Sequence, residues 1–432
     1  MKRPWQIMLY RTATRLAQPA AGLILRNRLK KGKEDAARLG ERKGVPGLRR
    51  PEGPLVWIHG ASVGETVSMT PIVQRLMERG HHVLVTSGTV TSARVMAERL
   101  PEGAMHQYVP LDTPGFMRRF LRAWRPDVGL IAESEIWPNM IIESRKRDLP
   151  LMLLNGRMSD RSFNRWARQL PAARMLLSCF DVIMAQSRLD AERYLQLGAP
   201  RVSLGGNLKY DVTPPPADPE QLALLEGMTA GRQVWIAAST HPGEDEEIIE
   251  AHKAVAERFP RLLTIIAPRH PRRGPDIEDL ARGMGVSAGR RSAGLGPDRA
   301  VDVYVADTVG ELGLFYRLAP IAFLGGSLVE HGGQNPIEPA KLGAAILHGP
   351  HVHNFTDVYA SLDRSGGAVN VDGADSLARR LEQWFADASL SREVGRRAFA
   401  AVGEMAGAAD RVMAGLDPLL ARARLNVGRT PD

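Results

Sequence analysis

The sequence predicts an α/β chain of two halves, each a parallel sheet covered by helices on both faces. Three observations carry this. From residue 54 onward, short apolar runs alternate with amphipathic helical stretches, the mark of repeated βα units. Pro214, Pro215, Pro216 and Pro219 then interrupt the pattern, and a second alternation starts after them. At 432 residues the chain is also long for one domain, and two are the natural expectation. The divisions read from this are 1–50, an N-terminal arm; 51–212, a first domain; 213–219, a stiff linker; 220–400, a second domain; and 401–432, a C-terminal helix that packs back on the first.

The arm holds most of the charge. Residues 1–50 carry 14 Lys/Arg against 3 Asp/Glu, a balance of +11, so the remainder, 43 basic against 45 acidic, stands at −2. At 3.6 residues per turn Trp5, Leu9, Ala13, Leu16 and Ala20 share one side of a helix, with Arg11 and Arg15 well away from it. Arg26, Arg28, Lys30, Lys31 and Lys33 follow an apolar run. No apolar segment reaches the ~18 residues a spanning helix needs, and no clean signal-peptide pattern is present. The arm therefore reads as an interfacial helix on an anionic membrane surface. A solvated helix packed on its own domain is the plainer alternative. Nucleic acid is not an expected partner, because the body shows no basic face interleaved with aromatics. One cysteine, Cys179, excludes an internal disulfide and suits a reducing compartment.

In the first half, Leu55–Ile58, 82–86, 128–132, 151–155, 182–185 and 201–204 read as strands. The first ends in Gly60-Ala61-Ser62-Val63-Gly64-Glu65. Gly60 and Gly64 let the backbone turn tightly and tolerate positive φ, and Glu65 falls at a helix start, where the helix dipole favours its ionised form. A carboxylate there is a good general base for an alcohol. The same turn also fits G-x-S-x-G, with Ser62 as a hydrolase nucleophile. Glu133 and Glu135 follow the strand 128–132 and would share a face if strand geometry persists, suited to acid/base work or to capping the helix at Pro138. Lys209 precedes the linker, a stabiliser of developing negative charge or an ordinary surface lysine.

The second alternation gives strands at 234–238, 262–267, 303–306, 321–324 and 345–348, with one long helix over Ser376–Leu420. Ser239 and Thr240 read as helix caps in preference to phosphate ligands. Arg269 follows a strand and offers a planar fork to a phosphate or base; Gly310-Glu311-Leu312 follows another. The glycines of Leu324–Gly333, then Asn335, Pro336, Ile337 and Glu338, open a helix and form an anion site suited to phosphate. Asn335 and Glu338 are expected one turn apart on one helix face, the carboxylate accepting from a ribose. His348, His351 and His353 cluster, but no metal-binding motif accompanies them. Ligands in such sheets bind beyond the carboxyl ends of the strands.

The segments HGASVGE, ESEIWPN, GNLKYD, APRHP, GEL and GGSLVEHGGQNPIEP, in this order between residues 59 and 339, resemble those of bacterial Kdo transferases. That resemblance implies a GT-B fold, two Rossmann-like domains facing an interdomain cleft, with acceptor in the first and nucleotide in the second. It implies an inverting glycosyltransferase that moves Kdo, a deoxy-octulosonic acid, from CMP-Kdo to a lipid A precursor (lipid IVA) in lipopolysaccharide synthesis. Its implied location is the cytoplasmic face of the inner membrane. Glu65 would be the proton acceptor, and Glu135 and Lys209 would stabilise the transition state. CMP would be held by Pro268 and Arg269, by Gly310, Glu311 and Leu312, and by Asn335, Pro336, Ile337 and Glu338. No metal or other cofactor is expected. The alternatives are a serine hydrolase using Ser62 and a membrane-associated protein that binds nucleotide without turnover.

Overall fold

The computed structural model describes residues 4–427. The chain folds into two compact units, one of residues 1–212 with the C-terminal segment from Ala406, the other Thr213–Met405. Each is a seven-stranded, wholly parallel sheet.

Unit 1 contains β1 (Leu55–His59), β2 (His82–Ser87), β3 (Met105–Tyr108), β4 (Val128–Ala132), β5 (Leu151–Gly156), β6 (Val182–Ala185) and β7 (Val202–Leu204), in the order β3-β2-β1-β4-β5-β6-β7. Sequence order reverses between β1 and β4, which opens a crevice at their carboxyl ends. Every residue of β1 is buried, because helices cover both faces of a parallel sheet. Its side chains alternate: Leu55 and Trp57 enter one core with Leu84, Ile131 and Phe120, and Val56 and Ile58 enter another with Val83, Leu130 and Leu76.

Unit 2 contains β8 (Gln233–Thr240), β9 (Leu262–Pro268), β10 (Ala288–Arg290), β11 (Val303–Val305), β12 (Ile321–Leu324), β13 (Ala345–His348) and β14 (Ala368–Asn370), in the order β10-β11-β9-β8-β12-β13-β14. Here the reversal lies between β8 and β12. The two units share a device: the indole N–H of Trp57 donates to Thr86 Oγ1 at 2.9 Å, and that of Trp235 to Thr264 Oγ1 at 2.7 Å. Each pins the first strand of its unit to the second while satisfying two buried polar groups. The GT-B expectation of two Rossmann-like domains is met in both units.

The single helix expected over Ser376–Leu420 is three: Ala374–Ala386, Ala388–Met405 and Ala408–Val427. Extended backbone at Asp387 and a left-handed Gly407 (φ 90°) break it. Asp211 then caps the last helix, accepting from the N–H groups of Gly407, Ala408 and Ala409 at 2.8, 2.9 and 3.3 Å. That helix buries Val412, Met413 and Leu416 in the core shared by Val56 and Ile58.

The N-terminal arm is docked on unit 1. Helix Trp5–Ala17 buries Ile7, and Tyr10 donates to Asp112 Oδ2 at 3.0 Å. Arg11 bonds Asn139 Oδ1 at 3.1 Å and pairs with the buried Glu143. The apolar stripe of Trp5, Leu9, Ala13, Leu16 and Ala20 is exposed along its whole length, joined by Met8, Leu23 and Ile24. Among the described residues no helix is long and apolar enough to cross a membrane.

Candidate active site

In unit 1 the candidate residues gather where β1 and β4 end. Ser62 caps helix Val63–Ser68, its hydroxyl oxygen accepting from the Glu65 N–H at 3.3 Å while its O–H donates to Glu65 Oε1 at 2.9 Å. The Ala61 N–H donates to Glu65 Oε2 at 2.7 Å. Both oxygens of Glu65 are therefore oriented by its own turn. Ser62 serves Glu65 and the helix start. Neither Gly60 nor Gly64 takes positive φ, contrary to expectation. Gly60 is needed for closeness instead, since a Cβ there would come within 2.7 Å of Met69 Cε and 3.1 Å of Glu65 Cβ.

Glu133 and Glu135 do not share a strand face. Strand β4 ends at Ala132, and Glu133 turns away with φ 49°, a conformation rare for a side chain with a Cβ. Its carboxylate meets Lys209 Nζ at 3.4 Å, and Asn155 Nδ2 donates to the same oxygen at 3.4 Å. Asn155 also has positive φ (52°), at a register shift in β5, and its Oδ1 accepts from the Leu208 N–H at 3.1 Å. Asn155 thus ties Glu133 to the turn Leu208–Tyr210 that carries Lys209. Neither glutamate caps the helix Pro138–Arg145; Asp112 does, accepting from Asn139 and Met140 N–H at 3.0 and 2.8 Å. Asp112 and Asn155 were missed in the sequence, although an asparagine ending the apolar run of β5 was a signal.

Electrostatics follow from this crowding. Burial first, then the Glu133 carboxylate, push the Glu65 pKa above its ordinary value, against the N–H of Ala61 and the Ser62 hydroxyl. Glu135 is pushed up to about 6, by burial first and, with the Trp137 indole N–H opposing, by Glu65 and Glu133. The helix-dipole expectation of an easily ionised Glu65 is outweighed by burial. Beneath them His59, fully buried, is held down to about 4 by burial. Its Nδ1 lies 3.0 Å from Thr86 Oγ1 and 3.2 Å from Thr86 O, so the neutral ring donates there and turns the Nε2 lone pair toward Glu135 Oε2, 3.9 Å away. At neutral pH that approach is not an ion pair.

In unit 2 the candidates also stand at strand ends. Pro268 closes β9, and the Arg269 N–H donates to Thr240 O at 3.0 Å, leaving the guanidinium exposed. Thr240 donates to Asp245 Oδ1 at 2.7 Å and caps no helix; Ser239 stands at a register shift in β8 with φ 58°. Gly310 (φ 93°) and Glu311 precede helix Leu312–Leu318 and line a cavity with Pro216–Glu220. Burial raises the Glu311 carboxyl, but hydrogen bonds from Arg291 (2.6 Å) and Thr308 outweigh it and hold the pKa low. Asn335 is not on a helix face with Glu338. The helix is Ile337–Lys341, and Asn335 lies before it, its Oδ1 accepting from the Ile337 N–H at 3.1 Å. Pro336 and Ile337 are buried at that start, and Glu338 is half-buried.

The glycine turn after β12 is built on a residue the sequence reading missed. Glu244, fully buried, accepts from the N–H groups of His241, Gly326, Ser327 and Leu328 at 2.9, 2.7, 3.0 and 3.0 Å. One carboxylate thereby satisfies four backbone donors and fixes the loops after β8 and β12 together. His348 bonds Gly349 O and Asp363, and among the described residues no group of three His, Cys, Asp or Glu could hold a metal ion.

A family model described as 3-deoxy-D-manno-octulosonic-acid transferase (kdotransferase) matches residues 37–212. The chain is 35% identical over 398 residues to the 3-deoxy-D-manno-octulosonic acid transferase of Haemophilus influenzae, covering 89% of this chain and 92% of that protein. It is 38% identical over 369 residues to the probable mitochondrial 3-deoxy-D-manno-octulosonic acid transferase of Arabidopsis thaliana, covering 83% and 82%. A solved glycosyltransferase from Rickettsia africae matches with TM-score 0.56 at 12% identity, over 85% of this chain and 98% of that one, which shows the fold alone.

Proposed function

Since the chain belongs to the 3-deoxy-D-manno-octulosonic acid (Kdo) transferase family, we propose that it moves Kdo from CMP-Kdo to a lipid A precursor, lipid IVA, with inversion at the anomeric carbon. The observation that carries this reading is the convergence of Glu65, Glu133, Glu135 and Lys209 at the β1/β4 reversal. Glu65 takes the proton of an acceptor hydroxyl as that oxygen attacks the anomeric carbon of Kdo. CMP departs from the opposite face, so configuration inverts. A carboxylate made more basic by burial is better matched to an alcohol proton.

Glu135 and Lys209 stabilise charge that develops during transfer. On the donor side Pro268 and Arg269, Gly310, Glu311 and Leu312, and Asn335 through Glu338 hold CMP. Arg269 meets its single phosphate, and no metal ion is needed in this scheme. The outward apolar stripe from Trp5 to Ile24, beside Arg26, Lys30 and Lys31, supports an interfacial helix on the anionic inner face of the inner membrane, where a lipid acceptor is presented.

The test is to incubate the protein with CMP-Kdo and lipid IVA and weigh the lipid by mass spectrometry. A gain of one or more Kdo increments is expected. CMP release without any lipid mass gain would refute transfer to this acceptor.

A further inference from the structure

We propose that His241, His270 and His331 form a second anion subsite, one that receives the carboxylate of the donor's sugar acid beside the nucleotide phosphate at Arg269. The proposal rests on the CMP-Kdo reading above and extends it to the sugar.

Each histidine comes from a different strand end of unit 2. His241 follows β8, His270 follows β9 with Arg269 next to it, and His331 lies in the loop after β12. Strands β8 and β12 flank the reversal of strand order, where an open parallel sheet offers its ligand crevice. The His241 ring centroid is 3.9 Å from that of His331 and 6.4 Å from that of His270. The position of His241 is built: Glu244 holds its backbone N–H, and Gln334 Nε2 lies 3.1 Å from its Nε2. Gly326 (φ 66°) makes room for it, since a Cβ there would come within 3.1 Å of its Cδ2.

The tilted rings of His241 and His331 lie beside a third imidazole and beside Arg269. Burial, then His331, His270, Arg269 and Arg273, hold His241 down to about 4. Arg273 is committed to Asp245 and to Thr240 O. Arg269 therefore brings positive charge, and the neighbouring imidazoles bring N–H donors, to one region of the strand ends, and an anion placed there can be held by charge-assisted hydrogen bonds. The donor supplies such an anion. In a 2-keto sugar acid joined to CMP, phosphate oxygen and carboxylate are bonded to the same anomeric carbon. A site that holds the phosphate at Arg269 must meet the carboxylate a few ångströms away, and an aldose nucleotide has no group to offer there.

The experiment measures equilibrium affinity of the full chain for CMP and for CMP-Kdo, in the parent, in His331→Ala and in His241→Asn. His331 is exposed, so its variant is safe for folding, and CMP binding reports the integrity of both. Losing a hydrogen bond to a charged group is expected to weaken CMP-Kdo by about tenfold in each variant while CMP changes by less than about twofold. Equal losses for the two ligands, or no loss for either, would overturn the subsite. A parent protein that fails to bind CMP would overturn the donor reading itself, and is distinguishable for that reason.

Discussion

Lys209 Nζ lies 3.4 Å from Glu133 Oε1, so the ammonium of the turn before the linker is anchored by the glutamate that the left-handed backbone swings out of β4. Glu135, two residues on, is left with burial, an indole N–H and two neighbouring carboxylates. The pair thus divides the two glutamates of the ESE segment into one that positions a cation and one that stays poorly solvated.

Lys209→Met removes that cation. A group that acts on developing charge lowers turnover more than substrate affinity, so kcat should fall by about 10²-fold with KM changing only slightly. Steady-state kinetics with CMP-Kdo and lipid IVA measure this; an equal rise in KM with unchanged kcat would assign Lys209 to ground-state binding.

Glu135 should make stability depend on pH. Its carboxyl is raised from 4.5 to about 6, so the native protein holds this proton more tightly than the unfolded chain does. The stability associated with the protonated form is present below pH 4.5 and is lost as pH rises through 6. The loss is at most about 2 kcal/mol. Glu135→Gln should therefore unfold at higher urea than the parent at pH 7, with the difference shrinking toward pH 4.5, even as transfer activity falls.

Replacing Leu9 and Leu16 with Glu removes two apolar side chains from the exposed face without touching the docked side of the helix, Ile7, Tyr10 and Arg11. Binding to vesicles containing anionic lipid should weaken by at least about tenfold for the pair, while the affinity for CMP is retained. Undiminished sedimentation with the vesicles would remove the stripe from the membrane account.

Glu244→Ala leaves four buried or half-buried backbone N–H groups without their acceptor. A loss of about 3 kcal/mol in unfolding free energy is expected, accompanied by weaker CMP binding because the loops after β8 and β12 lose their common anchor. Denaturant unfolding and nucleotide titration on the same preparation check both.

What was legible in the sequence was what burial writes locally. Strands covered on both faces read as unbroken apolar runs, so β1, β4, β8 and β12 and the strand-end positions of Glu65, Glu135 and Arg269 followed directly. The short strands β3, β10 and β14 did not, because edge strands such as Ala288–Arg290 mix small and polar residues. Backbone excursions were equally hidden: nothing in the order Glu133-Ser134-Glu135 announces φ 49° at the glutamate that meets Lys209. Distant caps were hidden for another reason. Asp112 and Glu244 satisfy donors far along the chain, and only the folded sheet brings them there.

The central claim is that Glu65 is the base, and the most direct measurement of it compares parent and Glu65→Gln by mass spectrometry of lipid IVA after reaction with CMP-Kdo, with CMP-Kdo affinity determined alongside. Loss of a general base should lower the rate of mass gain by about 10²- to 10⁴-fold while affinity is unchanged. A Glu65→Gln protein that transfers Kdo at the parent rate with the same affinity would contradict it.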